Sequence, residues 1–375
     1  MHMKIDVIGP TYPNKGGIAH YNTLMCEHLA KKHKVKCYSF KRLYPKLLYP
    51  GRDQLDKDSN SKIKTDSDRF IDSMNPFTWL KVFNKVRKDK PDLLIMPWWT
   101  SLLSPMFFTW AFLTKTLTKT KVLFLCHNVL PHERKFFDKP LTKITYLFSD
   151  FFVTHSKKDR DDLFGMIKGA NVKVGAHPTY DVFNQKQWDK DGVKKELGLK
   201  GDVILFFGYV RPYKGLQYLI EAMPKILKKK DLTLIIVGEF WSPTKEEVTK
   251  RLKELNIEKN VKIFDEYVPN EEVGKYYSAS DIVVLPYTSA TNSGIVQTAF
   301  GFNIPVIVSN EGGLPEVVID EKTGYIVPTE NSNEIAKTVL RYYKDRNHID
   351  FAKNIEKDKK RFEWDRIVEL IESFF

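Results

Sequence analysis

Cysteine is scarce in this chain: Cys26, Cys37 and Cys126 are the only three in 375 residues. Three thiols cannot build the cross-linked framework of a small secreted fold, so a reducing, cytoplasmic setting is the expectation. No leader with a basic start and an apolar middle opens the sequence, and Met1-His2-Met3 reads as a cloning remnant ahead of a natural Met3. An unbroken membrane-spanning run is missing too. Residues 93–114 carry no charge and are long enough to cross a bilayer, but Pro97 and Pro105 interrupt them. They read better as a short buried strand over 93–96, entered from Pro91-Asp92, and a helix over 104–117. Metal ligands are thin: His127 and His132 have no third ligand at a useful spacing, and no metal is expected. No nucleic-acid reading motif is recognisable, which argues against a nucleic-acid partner.

What is present is lopsided in charge. Residues 1–185 hold 31 Lys and Arg against 17 Asp and Glu, a balance of +14, whereas residues 186–375 come to −1. Basic surfaces attract nucleic acid, anionic membranes or phosphorylated ligands, and a lysine-rich face also serves solubility alone. Aromatic stretches such as Trp98-Trp99 and Phe107-Phe108 lie in the same basic half. Apolar content of 42% supports packed cores, and the length suits two domains.

Along the chain, short apolar runs alternate with longer periodic segments. Strands are expected at 5–8, 35–40, 93–96, 122–126 and 151–154, with a helix over 18–30. The second half repeats the pattern, with strands at 203–207, 232–237, 261–264, 282–285 and 306–308. Helices fit 216–227, 245–255, 271–278 and 334–343. Such alternation means parallel sheets covered by helices. A polar insertion over 41–74 reads as loop-rich, and a polar stretch near 178–199 reads as a linker. The expectation is an α/β protein of two doubly wound domains, residues 1–185 and 186–375, with ligands outside the carboxyl ends of the strands.

Three segments carry the chemistry. Pro13-Asn14-Lys15-Gly16-Gly17 follows the first strand and precedes the first helix. Paired glycines there let backbone amides approach an anion at a helix N-terminus, although a plain strand–helix turn uses the same residues. Phe207-Gly208-Tyr209-Val210-Arg211-Pro212-Tyr213-Lys214-Gly215 also joins a strand to a helix. Its Arg211 and Lys214 are spaced to clamp a diphosphate, and two exposed surface cations are the plainer alternative. The third segment runs from Ser280-Asp281 through Thr291-Asn292-Ser293-Gly294, Gln297 and Pro305 to Gly312-Gly313-Leu314-Pro315-Glu316. A strand, a loop of small polar residues and a helix start make an anion site from free amides.

In this order and spacing, the last two segments resemble family 4 of the glycosyltransferases. The likeness takes in the early glycine pair and the His127-Asn128-Val129-Leu130-Pro131-His132-Glu133 run. It implies a GT-B fold, two Rossmann-like domains facing across a cleft. Residues 1–185 would form the acceptor side and 186–375 the nucleotide-sugar donor side. The resemblance also implies transfer from a UDP- or GDP-sugar with retained anomeric configuration, without metal or other cofactor. By the same resemblance, His127 reaches the transferred sugar and Arg211 and Lys214 hold the diphosphate. Gly16 and Gly17 meet the donor diphosphate or the acceptor, and Gly208 approaches the donor. Asn292, Ser293 and Gly294 form the phosphate-facing helix start, and Glu316 follows in the next loop, as a donor contact or a residue that holds the loop.

The chain departs from the family at three places: the arginine often found just after the glycine of the 207–215 segment is Tyr209 here, and two glutamates are replaced. A glutamate pair is common there, one touching the donor sugar and one the ribose; the aligned positions are Ala290 and Thr298. Gln297 or Thr298 remains to bond the ribose, and nothing replaces the first carboxylate at its own position. A GT-B protein that binds nucleotide sugar without transferring it, or that acts differently, as an epimerase does, is the rival reading. His132 and Glu133 could hold their loop, His177 before Pro178 reads as a hinge residue, and His20 as a packing residue. A glycan or lipid-linked acceptor, reached at the inner face of an anionic membrane by a peripheral protein, would suit the basic half.

Overall fold

The computed structural model describes every residue except Met1, 46–48, 50, 60–62, 64, 132 and 185. His132, and residue 185 at the expected domain boundary, therefore lie outside the described residues. The chain divides into two compact units, Met1–Ala176 joined by Trp364–Phe375, and His177–Glu363.

The first unit runs β1 (Lys4–Ile8), α1 (Gly17–Ala30), β2 (Lys34–Arg42), β3 (Ser67–Asp72), α2 (Pro76–Asp89) and β4 (Leu93–Trp98). It continues with α3 (Ser104–Leu117), β5 (Lys121–Cys126), α4 (Asp138–Tyr146), β6 (Phe151–Thr154), α5 (Lys157–Phe164) and β7 (Val172–Val174). The strands form one parallel sheet in the order β3-β2-β1-β4-β5-β6-β7. Strands buried on both faces need near-continuous apolar runs, and β4 (Leu-Leu-Ile-Met-Pro-Trp) is buried at every position. The uncharged stretch at 93–114 is thus a core strand and part of a helix. Among the described residues no helix is long and apolar enough to cross a membrane.

One strand carries a carboxyl into this core. Asp6 of β1 is fully buried, and burial, helped by neighbouring Asp89 at the end of α2, pushes its carboxyl up to about 8. Asp89 stays ionised beneath Lys4 and Lys36, whose amines bond it and hold its carboxyl below the usual range.

The second unit holds α6 (Lys190–Glu196), β8 (Asp202–Phe207), α7 (Leu216–Leu227), β9 (Leu232–Val237), α8 (Lys245–Glu254), β10 (Val261–Phe264) and α9 (Val273–Ala279). It goes on through β11 (Ile282–Leu285), α10 (Gly294–Gly301), β12 (Val306–Ser309), α11 (Leu314–Val317), β13 (Gly324–Val327), α12 (Ser332–Asp345) and α13 (Phe351–Asp358). Its parallel sheet is ordered β10-β9-β8-β11-β12-β13. The order reverses between β8 and β11, so the crevice outside their carboxyl ends is where a ligand belongs.

The final helix, α14 (Trp364–Glu372), joins the first unit, not the second. Its Trp364, Ile367, Val368 and Ile371 are buried, and the Trp364 ring packs 5.0 Å from Tyr21 and 5.6 Å from His28 of α1. Burial of that apolar stripe draws the end of the chain back. The break falls at 176/177 instead of 185/186, because the segment from His177 onward packs on α10. A 3₁₀ turn (Asp181–Phe183) and α6 lie within the span read as a linker.

The insertion over 41–74 holds β3, a polar edge strand tied by paired bonds between Arg42 and Asp72. The insertion also braces the glycine loop: Lys15 N–H donates to Gln54 O at 2.8 Å and Asp56 N–H to Pro13 O at 2.7 Å.

Candidate functional site

In the second unit, the loop after β8 turns at Gly208, whose φ of 95° suits glycine. A Cβ there would stand 2.8 Å from Lys214 Nζ and 3.2 Å from Ile295 Cδ1. Glycine is therefore what allows the Lys214 amine and the first turn of α10 to meet at this strand end. Pro212–Lys214 form a 3₁₀ turn that swings Lys214 inward, and Gly215, at φ 66°, leaves against Pro286 O, only 1.9 Å from where a Cβ would lie. Thr288 N–H donates to Tyr213 O at 2.8 Å, tying this turn to the loop after β11.

Lys214 is 7% exposed, and burial, then the nearby Arg211 charge, pull its amine down from 10.5 to about 7. Burial leaves the charged form of this amine poorly solvated. Arg211 is half-buried, its guanidinium 5.2 Å from the Trp241 ring centroid and 5.6 Å from that of Tyr213. Tyr209 packs on Trp241 at 4.5 Å, so this position supplies an aromatic wall where the family pattern has arginine.

Ser293 caps α10, its hydroxyl accepting from Val296 N–H at 3.4 Å. The first amides of the helix, at Gly294 and Ile295, have no partner within the helix ladder, and the Ile295 side chain meets the Gly208 turn that also holds the Lys214 amine. Gly208, Arg211, Lys214, Asn292, Ser293 and Gly294 thus lie in two adjoining loops. What they can do together is hold a polyanion.

Gln297 and Thr298 sit elsewhere. Gln297 is 1% exposed, and neither amide atom has a hydrogen-bond partner. A Cβ on Gly294 or Gly301 would lie 3.3 Å or 3.2 Å from Tyr180, so the 180–184 segment covers the face Gln297 shares with these glycines. Thr298 O–H donates to Gly294 O at 2.8 Å. The hydroxyl proton is thus used within the helix. Ala290 is buried, and Gly312, with φ 55°, lies so close that a Cβ would be 1.6 Å from Ala290 O. The loops after β11 and β12 therefore meet through backbone at the position where the family pattern has a carboxylate. Glu316 lies in α11, whose last carbonyls are gripped by Arg361: Nη1 donates to Glu316 O at 3.1 Å and Nη2 to Val317 O at 2.5 Å.

In the first unit, Gly16 (φ 104°) starts α1 and Gly17 faces open space, with nothing within 4 Å of an added Cβ. His127 follows β5, is buried, and its N–H donates to Trp98 O at 2.8 Å. The Tyr21 ring meets it edge-on at 4.7 Å, and His155, after β6, stands 5.7 Å away. His155 bonds Gly175 O at 2.8 Å through Nδ1, and burial pulls its imidazole down to about 4. The ring is therefore neutral near pH 7. Asp159, its carboxyl pushed up to about 6 by burial, accepts Val129 N–H at 3.0 Å and fixes the loop after His127. His20 is buried on α1.

Sequence reasoning passed over Tyr21, His155 and Asp159. His155 had a signal, since it follows a strand end as His127 does. Among the described residues no group of three or more His, Cys, Asp or Glu could hold a metal ion.

With that geometry in view, residues 189–362 match the family model of glycosyl transferases group 1. An uncharacterized glycosyltransferase of Methanocaldococcus jannaschii is 28% identical over 57% of this chain and 57% of its own length. A D-inositol 3-phosphate glycosyltransferase of Corynebacterium glutamicum is 31% identical over 46% of this chain and 41% of its own. The chain spans about half the length of the curated relatives it matches. Among solved structures, Anabaena HepE in complex with UDP superposes with a TM-score of 0.77 at 17% identity, covering 99% of this chain and 100% of that one. Sucrose-phosphate synthase from Thermosynechococcus elongatus gives 0.76 at 17%, covering 99% and 98%. The fold is GT-B, and its second unit is similar to group 1 glycosyl transferases.

Proposed function

We propose that this protein is a retaining glycosyltransferase that moves a hexose-type sugar from a UDP- or GDP-sugar to a glycan or lipid-linked acceptor. The observation that carries the reading is the meeting of Lys214, Gly208 and the start of α10 at the carboxyl end of β8, with Arg211 in the same turn. A buried amine with a depressed pKa regains its charge when an anion joins it, and a nucleoside diphosphate is such an anion. HepE, a protein of this fold, was crystallised with UDP and with UDP-glucose.

In this reading the bond between the sugar's anomeric carbon and the diphosphate oxygen breaks as Lys214 and Arg211 stabilise the departing charge. The acceptor oxygen bonds the same carbon from the face the phosphate leaves, and its proton passes to that phosphate. No carboxylate nucleophile is needed, in keeping with alanine at 290. His127 orients the sugar, and protein cations take the place of a metal. The setting is cytoplasmic and peripheral to the membrane.

A second reading is favoured by Ala290 and Thr298: a nucleotide-sugar-binding protein without transfer. A screen of UDP- and GDP-sugars for nucleotide release, with and without candidate acceptors, separates the two. Acceptor-dependent release supports transfer; tight binding with no release under any acceptor supports the second.

A further inference from the structure

Helices α2, α3 and α4 pack side by side on one face of the first unit's sheet, sharing its core through Phe83, Phe107 and Tyr146. The aromatic pairs at 98–99 and 107–108 do not make the outward face: Trp98 and Phe107 are fully buried. Different side chains do. Phe77 is 82% exposed and Phe136, just before α4, is 95% exposed. Leu80, Phe112, Ile144 and Leu147 are exposed on the same three helices and the turn after α4.

Single exposed apolar residues are ordinary, but a set on adjoining helices is not. The same helices and the segments at their ends also show exposed Lys81, Arg87, Lys88, Lys119, Lys139 and Lys143. Across residues 76–147 there are 12 Lys and Arg against four Asp and Glu. Of those four, Asp138 is buried and Asp89 is taken by Lys4 and Lys36. Much of the positive excess of the first half is thus displayed on a helical layer that also shows apolar side chains. At the carboxyl end of the sheet, a cavity of about 250 Å³ opens between the loops before α2 and α3, lined by Tyr44, Met74, Trp79, Leu102, Leu103 and Met106. Met74 and Leu102 are exposed at its mouth.

We propose that this layer docks on an anionic lipid bilayer, with Phe77 and Phe136 entering the headgroup boundary and the lysines facing lipid phosphates. Apolar studs among cations match such a surface in both respects; the cations draw the protein to anionic lipid and the rings add apolar burial. The carboxyl-end loops, with Gly17 and the apolar cavity, would then face the plane where a lipid-linked acceptor lies. The inference rests on the functional reading only for that acceptor.

The test is co-sedimentation of the full chain with phosphatidylcholine vesicles and with vesicles that also contain phosphatidylglycerol, at low and high salt, without nucleotide sugar. Binding to the anionic vesicles should exceed binding to neutral ones by about tenfold or more at low salt and fall at high salt. Phe77→Ser with Phe136→Ser should weaken anionic-vesicle binding about tenfold, and Lys81→Glu with Lys139→Glu and Lys143→Glu should abolish the preference. All five positions are exposed, and UDP or GDP binding by the same variants reports that the fold and donor site persist. Equal, negligible binding to both vesicle types overturns the proposal. So does wild-type partitioning by the double phenylalanine variant, or salt-sensitive binding to duplex DNA that exceeds binding to anionic vesicles. Failure here with intact nucleotide binding leaves the donor-site reading standing.

Discussion

Lys214 should make donor binding depend on pH in a manner few other residues could imitate. Its amine falls from 10.5 to about 7 through burial and the Arg211 charge, which disfavours the charged form by about 5 kcal/mol. A diphosphate beside the amine reverses that balance, so binding above pH 7 must take up a proton. With a free value near 7, affinity for UDP or GDP should fall about fivefold from pH 7 to 8 and about tenfold from 8 to 9. Titration calorimetry at these pH values, in two buffers of different ionisation enthalpy, measures both affinity and proton uptake. Close to one proton should be taken up at pH 9. Lys214→Met should bind weakly, with no slope and no uptake.

The same side chain acts on stability with a definite sign. A lysine whose folded value lies below its unfolded one is protonated in the unfolded chain over pH 7 to 10.5, so stability rises with pH across that window. Lys214→Met removes a poorly solvated cation and should stabilise the ligand-free protein by on the order of a few kcal/mol at pH 7. Flat wild-type affinity from pH 7 to 9, or a Lys214→Met protein that melts lower than wild type, would refute the reasoning.

Other perturbations reach other parts of the argument. Arg211→Ala should lower turnover about a hundredfold, the scale of one lost transition-state charge contact; kinetics within a fewfold of wild type would remove the clamp assignment. Turnover should persist in excess EDTA, and its loss with recovery on adding Mg²⁺ or Mn²⁺ would make the metal-free mechanism wrong. Gln297→Leu should leave melting unchanged or raised, because a buried amide with no partner is replaced by an apolar group of similar size. Donor KM should not move, and a large rise would return Gln297 to the ribose. Asp6, raised to about 8, is protonated in the fold while the unfolded carboxyl ionises near 3.8. Stability should therefore fall as pH rises from about 4 to 8, and Asp6→Asn should flatten that decline in thermal melts.

The elements legible in the sequence are those whose local pattern carries their own burial. β9 and β11 are apolar at almost every position because both faces are covered, and runs of that kind need no tertiary knowledge to be read. β3 (Ser-Asp-Arg-Phe-Ile-Asp) hides because an edge strand is half solvated, and its place is set by pairing with β2 and by Arg42. β7 (Val-Lys-Val) is three residues long and half-buried, and β13 (Gly-Tyr-Ile-Val) opens on a glycine, so neither makes an unbroken apolar run. α14 reads as a helix of either unit, and only its apolar stripe against Tyr21 decides which.

The candidate site divides along the same line. Gly208, Arg211 and Lys214 were readable because a glycine turn and two cations after a strand carry their geometry with them, within a few residues. Gln297 and Thr298 were not, because the surface of α10 available to a ligand is decided by residues more than a hundred positions earlier. Tyr180 lies over Gly294 and Gly301, and with them covers the side on which Gln297 stands. Alignment to Pro305 gives the height of these residues along the chain but not the direction of the helix face. Ala290 shows the reverse case. Its small side chain, an apparent loss in sequence, coincides with a Gly312 backbone pressed against its carbonyl, so the loops after β11 and β12 close on each other there. Returning a carboxylate at position 290 therefore tests more than charge. Ala290 is 2% exposed, so Ala290→Glu puts a longer, charged side chain at a buried position, and it should destabilise the protein by about 1–3 kcal/mol as an overpacked site does. If Ala290→Glu instead melts with wild type and raises turnover, the loop has room for the family's carboxylate, and its absence here reflects a different sugar, not a different packing.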